Sequence, residues 1–159
     1  MFAHTRVRTA AVLLTALALI GARAEAITIA RDGVPAATIV VAGDATVAEQ
    51  HAAQELADYF GQIAGCEFTV ANAAAGPSIY VGPTARAAEA GIDTETLDRE
   101  QWIVRTVDDD LIVLGGRPRG TLYAAYHLLE DQLGVHWWNP WAETVPSSPT
   151  IELADLDMQ

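Results

Sequence analysis

Two kinds of spacing alternate along the chain. Residues Ala26 to Arg31 and Ala36 to Ala42 are short runs rich in β-branched side chains, and Asp32-Gly33-Val34-Pro35 between them predicts a hairpin-like turn joining two strands. The period then changes. Thr46-Val47-Ala48-Glu49 has the form of a capping box, in which the threonine hydroxyl takes the amide three residues on and the glutamate reaches back. Ala52, Leu56, Tyr59, Phe60 and Ile63 follow at i, i+4, i+7, i+8 and i+11, which is one face of a helix, and Gly65 is placed to close it in a left-handed cap.

Glu67 to Ala71 and Ser78 to Gly82 read as two more strands joined by the small-residue stretch Asn72 to Pro77. Pro83-Thr84 opens a short helix closed by Gly91, and the acidic segment Ile92 to Arg99 reads as a loop or single turn. Gln101 to Val107 and Leu111 to Leu114 flank Asp108-Asp109-Asp110 and predict a hairpin with an acidic, solvated turn. Gly115-Gly116-Arg117-Pro118-Arg119-Gly120 leads into Leu122, Ala125, Tyr126, Leu129 and Leu133, again one helical face, with Pro118 suited to its first turn and Gly134 to its end. Val135 to Asn139 reads as a last strand carrying Trp137 and Trp138, with Trp141 just beyond Pro140.

Strands and helices interleave without a strict βαβ rhythm. The expected architecture is α/β (α+β), a mixed β-sheet covered by two main helices, in a single domain. Its expected bounds are residues 25–149, with 150–159 an exit segment behind Pro146 and Pro149.

The N-terminus precedes that domain. Arg6 and Arg8, the apolar run Thr9 to Gly21 and the small-residue triplet Ala22-Arg23-Ala24 together predict a secretory signal peptide over residues 1–24. The run is shorter than the roughly 20 residues of a membrane-spanning helix, so no membrane association is expected after cleavage. The expected location is secreted or periplasmic.

Composition sharpens the chemistry. The chain has 159 residues, is 51% apolar and carries a net charge of −12; all nine of its cations are arginine. Losing the leader would leave six arginines against 21 acidic residues. Without lysine there is no P-loop, no Schiff-base lysine and no Ser/Lys acylation pair. Such an acidic protein is repelled by nucleic acid. Cys66 stands alone and is expected to be a small buried apolar residue.

Ser78, Ser147 and Ser148 lie in no nucleophile-elbow context, and His51, His127 and His136 have no zinc-site spacing. No metal and no cofactor are expected. His127 and Glu130, at i and i+3, are expected to pair structurally. Glycoside hydrolysis needs two carboxyl groups facing across a cleft, and Glu55, Asp58, Glu130 and Asp131 read instead as solvated helix surface. Two local features remain as candidates. Gly116, Arg117 and Arg119 form a candidate anion-binding turn, against the plainer reading of a turn that lets strand and helix pack closely. Trp137, Trp138 and Trp141 are candidate carbohydrate or domain-interface contacts, against plain core packing.

Ala52-Ala53-Gln54-Glu55-Leu56, Ile79-Tyr80-Val81-Gly82-Pro83-Thr84, Gly115 to Tyr126 and Leu128 to Trp138 together resemble the N-terminal accessory domain of α-glucuronidases. That domain is related in turn to the second, non-catalytic domain of β-N-acetylhexosaminidases and to the front part of many bacterial glycoside hydrolases. The resemblance implies an α/β domain placed before a catalytic (β/α)8 barrel that carries the acid and base, with no catalytic residue of the family mapping onto this chain. It implies a non-catalytic accessory domain of a secreted, polysaccharide-degrading enzyme, with the barrel as its partner and oligosaccharide as a further ligand. A stand-alone carbohydrate-binding or surface-interaction module is the alternative, and a complete small hydrolase the third.

Overall fold

The computed structural model describes residues 27–159; the signal-peptide expectation for 1–24 lies outside them. Strand β1 (Ile27–Arg31) turns at Asp32-Gly33 onto the two-residue strand β2 (Val34–Pro35). The hairpin therefore closes sooner than its sequence suggests. Strand β3 (Thr38–Val41) leaves that small sheet and enters the main one, in which every pairing it makes is parallel.

Helix α1 (Val47–Ala64) follows as expected: both halves of the capping box form, and Gly65 closes the helix at φ +72°. Strands β4 (Val70–Ala71) and β5 (Ser78–Val81) come next, then helix α2 (Ala85–Glu89) capped by Thr84, and a 3-10 turn at Thr94–Thr96. Strands β6 (Trp102–Val107) and β7 (Asp110–Gly115) form the expected hairpin. Its acidic turn is less solvated than expected. Asp108 and Asp110 both take Arg86, at 2.7 and 2.8 Å, and Asp110 also accepts the Ser78 amide.

Helix α3 (Gly120–His127) runs on into a π-type turn, Leu128–Gln132. Arg119 is its N-cap, so Pro118 lies ahead of the helix and not in its first turn. Strands β8 (His136–Asn139) and β9 (Ala142–Thr144) make a separate hairpin. The tail is a correction to the expected boundary at 149. Strand β10 (Ile151–Leu153) pairs with β1 and strand β11 (Asp157–Met158) pairs with β6, so residues 150–159 belong to the fold. Ile151, Leu153 and Leu156 are buried there, which is what an apolar-acidic alternation achieves when it lies on a core as a strand.

The main sheet has the order β11-β6-β7-β5-β3-β4, with β4, β3, β5 and β7 parallel and β6 and β11 antiparallel to their neighbours. Along β7, Leu111 and Val113 face the core shared with α1 and α3, while Ile112 and Leu114 face Ala87 of α2 and Ile92 just beyond that helix. Both faces of that strand are buried, hence its unbroken apolar run. The fold is thus mixed α+β, with its two long helices on one face and only a short one on the other.

Candidate functional site

The glycine-arginine segment joins β7 to α3 where the backbone comes closest to its neighbours. A Cβ on Gly116 would lie 1.9 Å from the Asp98 carbonyl oxygen, and one on Gly115 would lie 2.3 Å from the Gly120 backbone. Only glycine fits there. The buried Thr94 hydroxyl donates to the Gly115 carbonyl, and the Gly115 amide donates to Thr121 Oγ1 at 3.1 Å. The turn is thereby tied on both sides by side chains.

Its arginines meet carboxylates of the chain itself. Arg117 donates to Glu49, and Arg119 donates to Glu100 at 2.9 Å on the surface. Glu49 is 1% exposed. Burial opposes its ionisation, but the hydrogen bond from Arg117, the Thr46 amide and the arginine's charge outweigh it, holding the carboxyl below its ordinary pKa. The motif that would cradle an external anion thus encloses the glutamate of the α1 capping box.

The three tryptophans divide. Trp137 faces inward: its indole N–H donates to the Tyr59 hydroxyl at 2.6 Å, and it makes edge-on contacts with Tyr59 and Tyr126. Tyr59 in turn donates to Glu143 Oε2 at 2.7 Å, so α1, β8 and β9 are stitched by one relay. Burial, followed by the bond to Glu143, raises the Tyr59 pKa; burial with the neighbouring Glu55 charge pushes Tyr126 up to about 12. Both phenols therefore stay neutral across the physiological range. Trp138 and Trp141 face outward, 68% and 91% exposed. Trp138 donates to Thr144 Oγ1 across the hairpin, and the Trp141 amide caps onto Asn139 Oδ1.

No motif in the sequence marks Tyr59, Tyr126 and Glu143 as site residues, because two of them sit on apolar helix faces and the third in a short edge strand. The signal was the polar tip of each tyrosine on such a face, which needs a partner when buried. Glu55 is partly buried and lies beside Tyr126, unlike the solvated surface expected of it. His127 pairs with Asp131 at 3.1 Å, and Glu130 with His136 at 3.6 Å, in place of the expected His127–Glu130 pair. Cys66 is only partly buried; burial pushes its thiol up, away from reactivity.

A family model for the glycosyl hydrolase family 67 N-terminus matches residues 28–128. Among solved structures, the chain is similar to a GH138 enzyme targeting pectin rhamnogalacturonan II, at 18% identity and a TM-score of 0.43. That similarity covers 73% of this chain and 15% of the other. No curated protein matches. The family match spans more than half of the 159 residues and takes in α1, the glycine-arginine turn and α3, and the chain therefore belongs to the glycosyl hydrolase family 67 N-terminal domains, accessory domains of glycoside hydrolases.

Proposed function

We propose that this domain serves, without catalysing, in an exported polysaccharide-degrading glycoside hydrolase, where it packs against a catalytic (β/α)8 barrel through the β8–β9 hairpin. The observation that carries the reading is the division of the tryptophans. Trp137 and the Tyr59–Glu143 relay fix the hairpin to α1, while Trp138 and Trp141 stand in solvent on its far side and tip. Two exposed indoles on an anchored hairpin offer apolar surface whose burial against a partner releases ordered water, and tryptophan is prominent among residues that dominate interfaces. The leader-like residues 1–24 support export, to the periplasm or beyond.

The test is sedimentation of the chain mixed with the isolated barrel of a family 67 α-glucuronidase, with oligosaccharide binding and hydrolysis measured on the same samples. Complex formation that Trp138→Ala and Trp141→Ala abolish is expected. Saturable glycan binding through those two tryptophans, with no complex, would replace the reading by that of a carbohydrate-binding module. Turnover by the chain alone would make it a small hydrolase.

A further inference from the structure

The strand order β4-β3-β5 has a consequence at one end of the sheet. Chain connections run from β3 through α1 to β4 on one side, then back across to β5 on the other, so the sheet reverses its winding between β3 and β5. In open parallel sheets the crevice outside the carboxyl ends of the strands, at such a reversal, is where small ligands bind. Here a cavity of about 400 Å³ lies there. Its walls come from the ends of all three strands and from α2: Val41 at the end of β3 and Ala42 just beyond it, Asn72 after β4, Tyr80 in β5, and Arg86 and Glu89 on α2. The cavity lies within the range of about 300–1,000 Å³ typical of small-molecule sites, and apolar residues dominate its lining with a few polar groups among them.

We propose that this crevice binds a neutral, polyhydroxylated ligand of the size of a mono- or disaccharide. The polar groups decide the class. Arg86 is held by Asp108 and Asp110, which cancel its charge and hold it in place, and Glu89 leaves the neighbourhood negative. An anion is therefore disfavoured. The Asn72 amide and Tyr80 hydroxyl can each donate and accept, Glu89 accepts, and Arg86 donates; hydroxyl groups need this mixture. A half-buried aromatic ring at Tyr80 and the alanines beside it suit the apolar face of a pyranose. The site is distinct from the tryptophan hairpin, so it stands or falls apart from the docking reading.

The experiment is calorimetric titration of the protein with cellobiose, xylobiose and mannobiose, alongside digalacturonate as the anionic probe and spermidine as the cationic one. Saturable binding of a neutral disaccharide is expected, weakened about tenfold by Tyr80→Ala and by the surface change Glu89→Ala, and unchanged by Trp138→Ala. Glu89 is exposed, so its variant keeps the fold while testing the site. Binding of none of the neutral probes, tighter binding of digalacturonate or spermidine, or neutral binding indifferent to both Tyr80→Ala and Glu89→Ala would overturn the proposal.

Discussion

Arg117 grips Glu49 with both arms of its guanidinium, Nε to Oε1 at 3.0 Å and Nη2 to Oε2 at 3.3 Å. The same Oε2 accepts the Thr46 amide at 2.7 Å, so one carboxylate caps α1 and anchors the turn before α3. Removing the arginine strands a carboxylate that has almost no access to water. A fully buried pair broken this way costs about 3–5 kcal/mol; with the Arg117 side chain 42% exposed, Arg117→Ala should cost about 2–3 kcal/mol. Arg119→Ala, from an exposed pair, should cost less than about 1 kcal/mol. Urea denaturation of the two variants checks the contrast.

The same carboxylate predicts a pH signature. Its folded-state pKa lies below the ordinary 4.5, so the folded protein holds the charged form more tightly than the unfolded chain does. The stabilisation is complete above the unfolded value and is lost as pH falls through the folded one. Glu49→Gln should be less stable than the parent at neutral pH, with a shallower loss on acidification, the two curves converging in acid. Parallel curves would show that Glu49 contributes by shape and not by charge.

Gly116 should tolerate nothing larger. Its added Cβ would meet backbone at 1.9 Å, and backbone cannot swing aside as a side-chain end can. Gly116→Ala should cost about 3 kcal/mol or more, at or above the usual range for overpacking. Gly43→Ala, with open space around it, should stay within about 0.5 kcal/mol. Thermal melting of the pair separates close packing from a general aversion to losing glycine.

What could be read from the sequence was local. The α1 capping box, the Gly65 cap and the β6–β7 hairpin each depend on residues a few positions apart, and each formed as expected. The glycine-arginine turn was legible as a place of close packing. Its ionic partner was not, because Glu49 lies 68 positions from Arg117 and already had a local role in the capping box. The Tyr59–Glu143 bond, spanning 84 positions, was hidden for the same reason. The tail misled differently: two prolines and alternating acids resemble a linker unless an edge strand is known to await pairing.

That tail carries its own prediction. Ile151, Leu153 and Leu156 are each less than one-tenth exposed, and burying such side chains contributes about 1.5–3 kcal/mol apiece. Their sum approaches the whole stability of a domain this size, about 5–15 kcal/mol. A chain ending at Pro149 should be largely unfolded at 25 °C by near-ultraviolet circular dichroism, whereas loss of Gln159 alone should change nothing. A folded truncated chain would return residues 150–159 to the status of an exit segment.

The tryptophans should separate cleanly when each is cut to alanine. Trp137 supplies an indole N–H to Tyr59 and edge-on contact to two phenol rings, so Trp137→Ala should cost about 3 kcal/mol. Tyr59→Phe removes only the hydroxyl, leaving the Trp137 donor and the Glu143 acceptor to find water, and should cost about 1–2 kcal/mol. Trp138→Ala and Trp141→Ala touch little of the fold and should shift stability by no more than about 0.5 kcal/mol. They should instead remove the tryptophan fluorescence that acrylamide quenches most readily. If a catalytic barrel covers the hairpin, that readily quenched fraction disappears from the parent protein in the complex. A fraction that stays accessible after complex formation would place the barrel on another face.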